Sequence, residues 1–168
     1  MEIKICTIGF AGKTAEQFFA LLSAVGIKKL VDVRENRIGQ LSCFAKYPDI
    51  EYLLDKICGI AYSHEPRLAP SVEIRKAYRE TKDWSLYETS FLQLMQERGI
   101  PQILEPVELS ENFALLCSEP GPEKCHRRLV ADILAEQLRS QGHAVQIQHL
   151  ETAKREKPKR KKVRHHNE

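Results

Sequence analysis

Apolar residues along this chain follow two alternating patterns: short continuous runs, and longer segments in which they recur every three or four positions. The runs are typical of buried strands, and the sequence predicts five of them, over residues 3–9, 29–33, 60–64, 113–117 and 144–149. The longer spacing predicts four helices, over residues 14–25, 50–58, 84–98 and 125–140. Because strands and helices alternate, we predict a single-domain, three-layer α/β/α fold with a mostly parallel, Rossmann-like sheet.

Two of these helices also carry start signals. Thr14 and Gln17 have the spacing of a capping box, in which each side chain bonds the backbone of the other residue. Asp83 stands directly before the apolar stripe that begins at Trp84, where an N-cap is expected. Both helices should therefore begin within a residue of these positions.

Ligands of such folds bind outside the carboxyl ends of the strands, and this rule selects a set of polar residues. They lie at or just past four of the predicted strand ends: Gly9, Asp32, Arg34, His64, Cys117, Glu119, Cys125, His126 and Arg127. A cluster of Arg, Cys, His and Glu at one edge is more than core packing alone requires. The sequence therefore predicts a functional site there.

The densest segment is LLCSEPGPEKCHRR, in which a strand ends at Cys117 and a helix opens near Cys125. A helix start presents free N–H groups that favour an anion, so we expect a lowered pKa and a nucleophilic thiolate at Cys125. His126 could act as an acid, a base or a ligand, and Arg127 could grip a phosphate or carboxylate. Alternatively, Cys125 and His126 only complete the apolar stripe of the helix.

Metal binding is a further alternative for the same segment. Cys117, Cys125 and His126 could supply three zinc ligands, with His64 or Glu119 as a fourth. The spacing between the two cysteines matches no zinc-finger pattern, so the sequence favours a site without a metal cofactor.

The second and third strands end in further candidates. Asp32 and Arg34 point to the same face of their strand and can pair, with Arg34 binding an anion and Asp32 orienting it. Alternatively, their ion pair only shapes the loop. His64 either completes the site or is a hydrogen-bonded residue at a strand end.

Charge divides the 168 residues into two parts. Residues 154–168 hold eight Lys/Arg and two Glu, a balance of +6, whereas residues 1–153 have a balance of −3. We therefore expect an α/β domain over residues 1–152 and a disordered basic tail over 153–168. The tail is either a nucleic-acid arm without sequence specificity or a solubilising extension.

The amino-acid composition indicates which general class of protein this is. At 42% hydrophobic and 29% charged residues the chain should be globular, and no apolar run reaches the roughly 18 residues of a membrane span. The first residues do not have the pattern of a signal peptide. Five widely spaced cysteines argue against a disulfide framework, so we expect a cytoplasmic protein with no membrane partner.

Several motifs together resemble the DUF488 family over residues 3–150, nearly the whole body of the chain. They are TIGF at 7–10, LVDVR at 30–34, QLSCFAK at 40–46, CGIAYSHEPRLAP at 58–70 and LLCSEP…CHRR at 115–128. Many members look like TIGHS at the first strand, whereas this chain has Phe10 and Ala11 in place of the His and Ser. By similarity, the family's recurrent polar positions correspond to Gly9, Asp32, Arg34, Cys117, Glu119, Cys125, His126 and Arg127. The family's function is unknown, so the resemblance implies a fold and a site more than an activity.

These observations favour a small α/β enzyme with an anion-binding Cys/His/Arg site. Arg34 and Arg127 would hold a phosphate or nucleotide group, Cys125 or His126 would do nucleophilic or acid–base work, and Glu119 would orient. We expect a Cys/His-dependent transferase or hydrolase acting on a nucleotide or nucleic acid. A non-catalytic nucleic-acid or nucleotide binding module is the alternative, and a structural zinc site the third. The sequence leaves the oligomeric state open.

Overall fold

The computed structural model of the chain describes residues 2–100 and 112–152. Five strands form one sheet: β1 (Glu2–Gly9), β2 (Lys29–Asp32), β3 (Ala61–His64), β4 (Phe113–Cys117) and β5 (Ala144–Leu150). The helices are α1 (Ala15–Ala24), α2 (Asp49–Leu53), α3 (Val72–Thr81), α4 (Trp84–Glu97) and α5 (His126–Ser140). One π turn (Leu54–Cys58) continues α2, and two 3₁₀ turns span Gln40–Ala45 and Pro66–Leu68.

The sheet has the strand order β3-β2-β4-β1-β5, and every pair of neighbours is parallel. This confirms the predicted α/β fold. β4 lies between β1 and β2, and its last residue, Cys117, is level with Gly9 at the end of β1. The carboxyl ends of three adjacent strands therefore meet at the edge where the candidate site was expected.

Two apolar cores cover the two faces of the sheet, and β4 divides its side chains between them. Phe113, Leu115 and Cys117 face the core formed with α4 and α5. Ala114 and Leu116 face the core formed with α1 and the segment around α2. Because strand side chains alternate between faces, this register directs Cys117 toward the start of α5.

The expected helix starts are present. The Thr14 hydroxyl accepts from the Gln17 N–H and the Gln17 side chain accepts from the Thr14 N–H, which completes the capping box of α1. The Asp83 carboxylate accepts from the Leu86 N–H and caps α4. α5 begins one residue later than predicted, with Cys125 as its N-cap residue in an extended conformation.

Two helices differ from the sequence prediction. The helix expected over 50–58 is α-helical only to Leu53 and then widens into the π turn. α3 was not predicted, because its ten residues include only a few apolar ones and none of them is fully buried. The signals for α3 were Ser71, whose hydroxyl caps it, and the four-residue spacing of Ile74 and Tyr78, which pack on the core.

Two further expectations concern membrane-spanning helices and the basic tail. The described part of the chain contains no helix that is long and apolar enough to cross a membrane. The basic tail, residues 153–168, lies outside the described residues, so the expected division of the chain after residue 152 stays a prediction.

Candidate functional site

A cleft of about 400 Å³ opens at the carboxyl edge of the sheet, between the loop after β2, helix α3, the start of α4 and the β4–α5 loop. Its floor contains both cysteines of the segment that the sequence singled out. Fifteen residues line it: Arg34, Glu35, Asn36, Pro70, Arg75, Tyr78, Arg79, Trp84, Tyr87, Cys117, Ser118, Glu119, Lys124, Cys125 and His126.

Cys117 and His126 form a close pair on this floor. The Cys117 sulfur lies 3.7 Å from His126 Nδ1 and 3.9 Å from Nε2. His126 Nε2 donates to the main-chain carbonyl of Val33, 3.0 Å away. A carbonyl can only accept, so this bond keeps a proton on Nε2 and leaves Nδ1 to exchange a proton with the thiol.

The same contacts shift the pKa of both groups. The hydrogen bond from the Cys125 thiol, followed by the charge of His126, holds the pKa of Cys117 well below its ordinary value despite burial. Burial acts to lower the pKa of His126, but the Cys117 sulfur and its hydrogen bond together raise it. Each group thus stabilises the charged form of the other, as in a thiolate–imidazolium pair.

The lowered pKa expected at Cys125 is not found. The hydrogen bond to Cys117 and burial both raise the pKa of Cys125, and the nearby Arg127 guanidinium offsets only part of this. Two adjacent buried sulfurs cannot both ionise easily, and the one that pairs with His126 carries the charge. Cys125 therefore keeps its proton, and its place at the helix start does not lower its pKa.

Arg127 is fully buried, and its guanidinium bonds to the protein itself. Nη1 donates to the carbonyl of Glu119 at 2.6 Å and to the Cys125 sulfur at 3.3 Å, and Nη2 donates to the carbonyl of Pro120 at 3.4 Å. Nε donates to the hydroxyl of Thr7 at 3.4 Å. Arg127 therefore holds the β4–α5 loop, and it is not among the residues that line the cleft.

Asp32 and Arg34 form the expected ion pair. Arg34 Nη2 and Nε donate to the two carboxylate oxygens of Asp32 at 2.6 and 2.8 Å. Arg34 also donates to the Ala45 carbonyl, and Tyr62 donates its hydroxyl to Asp32. Both charges are buried, so the pair fixes the loop after β2, although one side of Arg34 still reaches the cleft.

The remaining predicted residues lie in three different settings. His64 Nε2 bonds the Arg34 carbonyl at 2.7 Å, and His64 does not line the cleft. Gly9 is buried against the Glu119 carbonyl, outside the cleft lining. The side chain of Glu119 is exposed at the cleft rim. The structure thus brings Cys117, Glu119, Cys125, His126 and Arg34 together and leaves the other candidates around them.

A family model covers most of this architecture. The model of a domain of unknown function, DUF488, matches residues 14–134, which include β2, β3, β4 and the segment with both cysteines. The chain belongs to the DUF488 family. No curated protein and no solved structure matches the chain. The DUF488 family expected from the sequence is thereby confirmed over residues 14–134.

Sequence reasoning missed the cleft wall that α3 and the start of α4 supply. Arg75 and Arg79 come from α3, and the stacked rings of Trp84 and Tyr87, with centroids 4.7 Å apart, come from α4. Arg75 pairs with Glu35 across the cleft. The signal was present in the sequence as arginines four residues apart, but it required α3 to be recognised as a helix.

The floor of the cleft also has the donor set of a soft metal site. One ligand atom each from Cys117, Cys125 and His126 lies within 4.8 Å of the other two, and all three residues are buried. In a tetrahedral zinc site with bonds of about 2.0–2.3 Å, ligand atoms are roughly 3.5–3.8 Å apart. The three ligand atoms are therefore spread slightly wider than in a zinc site. Neither suggested fourth ligand, His64 or Glu119, belongs to it among the described residues.

Proposed function

We propose that this protein is a thiol-dependent enzyme in which Cys117 is the nucleophile and His126 its acid–base partner. The observation that carries this proposal is the position of the Cys117 sulfur beside an imidazole whose other nitrogen is held by the Val33 carbonyl. A nucleophile, a base and a group that orients the base are the parts that covalent catalysis requires. Their place on the floor of a cleft gives a substrate access to the sulfur.

The reaction class that suits these parts is group transfer or hydrolysis. The Cys117 thiolate attacks the electrophilic centre of the substrate, the bond to the leaving group breaks, and His126 gives that group its proton. Water or another acceptor then attacks the group on sulfur, gives its proton to His126 and restores the thiolate. The charged forms of both side chains are the ones this cycle starts from.

The cleft walls favour an anionic substrate that contains a ring. Arg79 and Lys124 reach the cleft and form no ion pair with another described residue, so their charges are available to a phosphate or carboxylate. Tyr78, Trp84 and Tyr87 line the same cleft as the two sulfurs, and their aromatic rings pack on one another. A nucleotide has both features, which supports the substrate class expected from the sequence.

A more specific form of this proposal is that the protein binds nucleic acid. It rests on the eight Lys/Arg of residues 154–168, which would neutralise phosphates without reading bases. A binding module that uses the same cleft without catalysis is the alternative. It predicts ligand binding that survives replacement of Cys117.

The test is site-resolved alkylation of the full-length protein by iodoacetamide at pH 7, with and without nucleoside monophosphates or inorganic phosphate. We expect Cys117 to be labelled first and the added anion to slow its labelling. Cys58→Ser is the matched control, because Cys58 lies on the opposite side of the sheet and should not affect Cys117. Slow labelling of Cys117 with no protection would contradict the proposal.

A further inference from the structure

Cys125 is a buried thiol for which the proposed reaction has no covalent role. Its sulfur lies within 4.8 Å of the Cys117 sulfur. Its side chain makes no capping bond to α5, so the sulfur is not tied to the helix backbone. The Cys125 sulfur also accepts a hydrogen bond from Arg127 Nη1, which lies 3.3 Å away.

The other three cysteines are in different places. Cys6 and Cys58 belong to the core on the opposite face of the sheet, and Cys58 bonds Ser23 and the Phe19 carbonyl there. Cys43 is exposed in the 3₁₀ turn after β2 and does not line the cleft. All five cysteines are described, so Cys125 is the thiol that the fold places next to Cys117.

We propose that Cys117 is a site of reversible oxidation and that Cys125 resolves it by forming a Cys117–Cys125 disulfide. A disulfide requires the sulfurs to approach to about 2.05 Å, so they must close by at most about 2.7 Å. Rotation of the Cys125 side chain breaks no capping bond of α5 and gives up only the hydrogen bond from Arg127. The proposal rests on the reactive Cys117 of the proposed function and adds a partner and a consequence.

The chemistry needs a hydroperoxide as the oxidant. The Cys117 thiolate attacks the terminal oxygen, the O–O bond breaks, and the alkoxide that leaves takes a proton from His126. Cys117 is then a sulfenic acid. The Cys125 sulfur attacks the Cys117 sulfur, the S–O bond breaks, and the hydroxide leaves as water with the Cys125 proton. Two thiols are oxidised by two electrons, and one hydroperoxide is reduced to an alcohol and water.

Oxidation would switch the proposed reaction off and protect the nucleophile. In the disulfide the Cys117 sulfur has no free thiolate, so it can attack no substrate. It also cannot proceed to the irreversible sulfinic and sulfonic acids. A dithiol reductant restores both thiols by exchange, because the product is an ordinary disulfide.

The experiment treats the reduced full-length protein with one equivalent of hydrogen peroxide, blocks free thiols, and maps the cysteines by mass spectrometry. Trypsin cleaves after Lys124, so Cys117 and Cys125 fall in separate peptides that only a disulfide joins. We expect a mass loss of about two hydrogens and a linked Cys117–Cys125 peptide pair, both reversed by dithiothreitol. Cys58→Ser should give the same linked pair.

The Cys125→Ser variant separates the two steps. Without the resolving thiol, Cys117 should stop at a sulfenic acid that dimedone traps and that excess peroxide carries to the sulfinic acid. Circular dichroism checks that the variant is folded. If it is not, the wild-type peptide map decides alone.

Three results would overturn the proposal in distinguishable ways. If Cys117 of the wild type alkylates rapidly yet is oxidised by peroxide to a sulfinic acid without a linked pair, the resolving role of Cys125 is wrong and the nucleophile stands. If Cys117 reacts with neither iodoacetamide nor peroxide, the proposed function fails together with this inference. A disulfide of Cys117 with Cys43 or with a second chain also contradicts it.

Discussion

Gly9 packs so closely against Glu119 that a Cβ on Gly9 would fall 1.6 Å from the Glu119 carbonyl oxygen. The same oxygen accepts the 2.6 Å hydrogen bond from Arg127. The end of β1, the loop after β4 and the first turn of α5 are therefore joined at one atom. This joint sets the path of the loop that runs from Cys117 to Cys125.

The first prediction concerns Gly9→Ala. Because the atom in the way belongs to the backbone, the loop must shift, and we expect a loss of about 2–3 kcal/mol in the free energy of unfolding. Gly121→Ala is the matched control, since its Cβ would meet only the exposed side chain of Glu123, which can move. Urea denaturation compares the two. Equal stabilities would show that the loop is not held at Gly9.

Arg127→Lys tests whether the buried guanidinium holds the loop. A lysine has one charged nitrogen and cannot bond the Glu119 carbonyl, the Pro120 carbonyl and Thr7 together. We expect a loss of about 2–4 kcal/mol, because buried acceptors lose their donors. The neighbouring Arg128→Lys changes two partly exposed ion pairs, with Glu88 and Asp132, and should cost less than about 1 kcal/mol. A similar cost for both variants would contradict the role given to Arg127.

The fold was predictable from the sequence wherever burial controls the pattern. β4 is buried on both faces, so its five apolar residues form a continuous run and identify a strand. α3 has no fully buried residue, so charged residues dominate its sequence. No continuous apolar stripe predicts a helix there. The functional consequence is large, because α3 supplies Arg75, Tyr78 and Arg79 to the cleft.

The site was predictable as a location and less so in its internal roles. Parallel strands bring their carboxyl ends to one edge, so the positions of Cys117, Cys125 and His126 followed from topology. The charge states of these three side chains did not follow, because ionisation depends on distances between atoms, and the spacing of residues along the sequence does not give those distances. The contact of Cys117 with Cys125 and the charge of His126 lower the pKa of Cys117, and burial opposes them.

The pH dependence of alkylation tests that assignment. A lowered pKa means that the Cys117 thiolate persists through neutral pH, so its labelling rate should fall only when the solution becomes distinctly acidic. Cys6 should stay unlabelled across this range, because burial raises its pKa to about 11. His126→Gln removes the positive partner and should move the Cys117 profile to higher pH. His143→Gln, far from the cleft, should leave it unchanged. A wild-type profile centred at or above about pH 8.5 would contradict the thiolate–imidazolium pair.

The zinc content of the purified protein distinguishes a nucleophilic Cys117 from a structural zinc site, the third possibility raised by the sequence. Zinc bound by Cys117, Cys125 and His126 would occupy the sulfur that the proposed reaction needs. We expect the purified protein to label at Cys117 at the same rate before and after treatment with a chelator. Elemental analysis gives the zinc content of the same samples. One zinc per chain, together with labelling that appears only after chelation, would favour the metal site.

The basic tail can be tested within the full-length chain. Replacing Lys159, Arg160, Lys161 and Lys162 by Gln removes half of the eight positive charges of residues 154–168. If the tail binds nucleic acid through phosphates, the affinity for single-stranded DNA or RNA should fall. The plot of log affinity against log salt concentration should also flatten by roughly 0.7 for each phosphate that is no longer neutralised. Fluorescence anisotropy at several salt concentrations measures both quantities. An unchanged slope would make the tail a solubilising extension.

The cleft cations provide the most direct test of the substrate class. Arg79 and Lys124 reach the cleft from opposite walls, α3 and the β4–α5 loop. Reversing either charge, as Arg79→Glu or Lys124→Glu, should weaken nucleotide protection of Cys117 about tenfold or more, since a hydrogen bond to a charged group contributes roughly 1.5–3 kcal/mol. Lys76→Glu is the matched control, because it makes the same charge change on exposed α3 surface outside the cleft.

The pattern of the three results separates a bound anion from a general charge effect. If all three variants weaken protection equally, the anion senses only the net charge of the protein, and the cleft is not its site. If Arg79→Glu and Lys124→Glu weaken protection and Lys76→Glu does not, the ligand spans the cleft between the two walls. A ligand in that position shares the cleft with Cys117, as the proposed reaction requires.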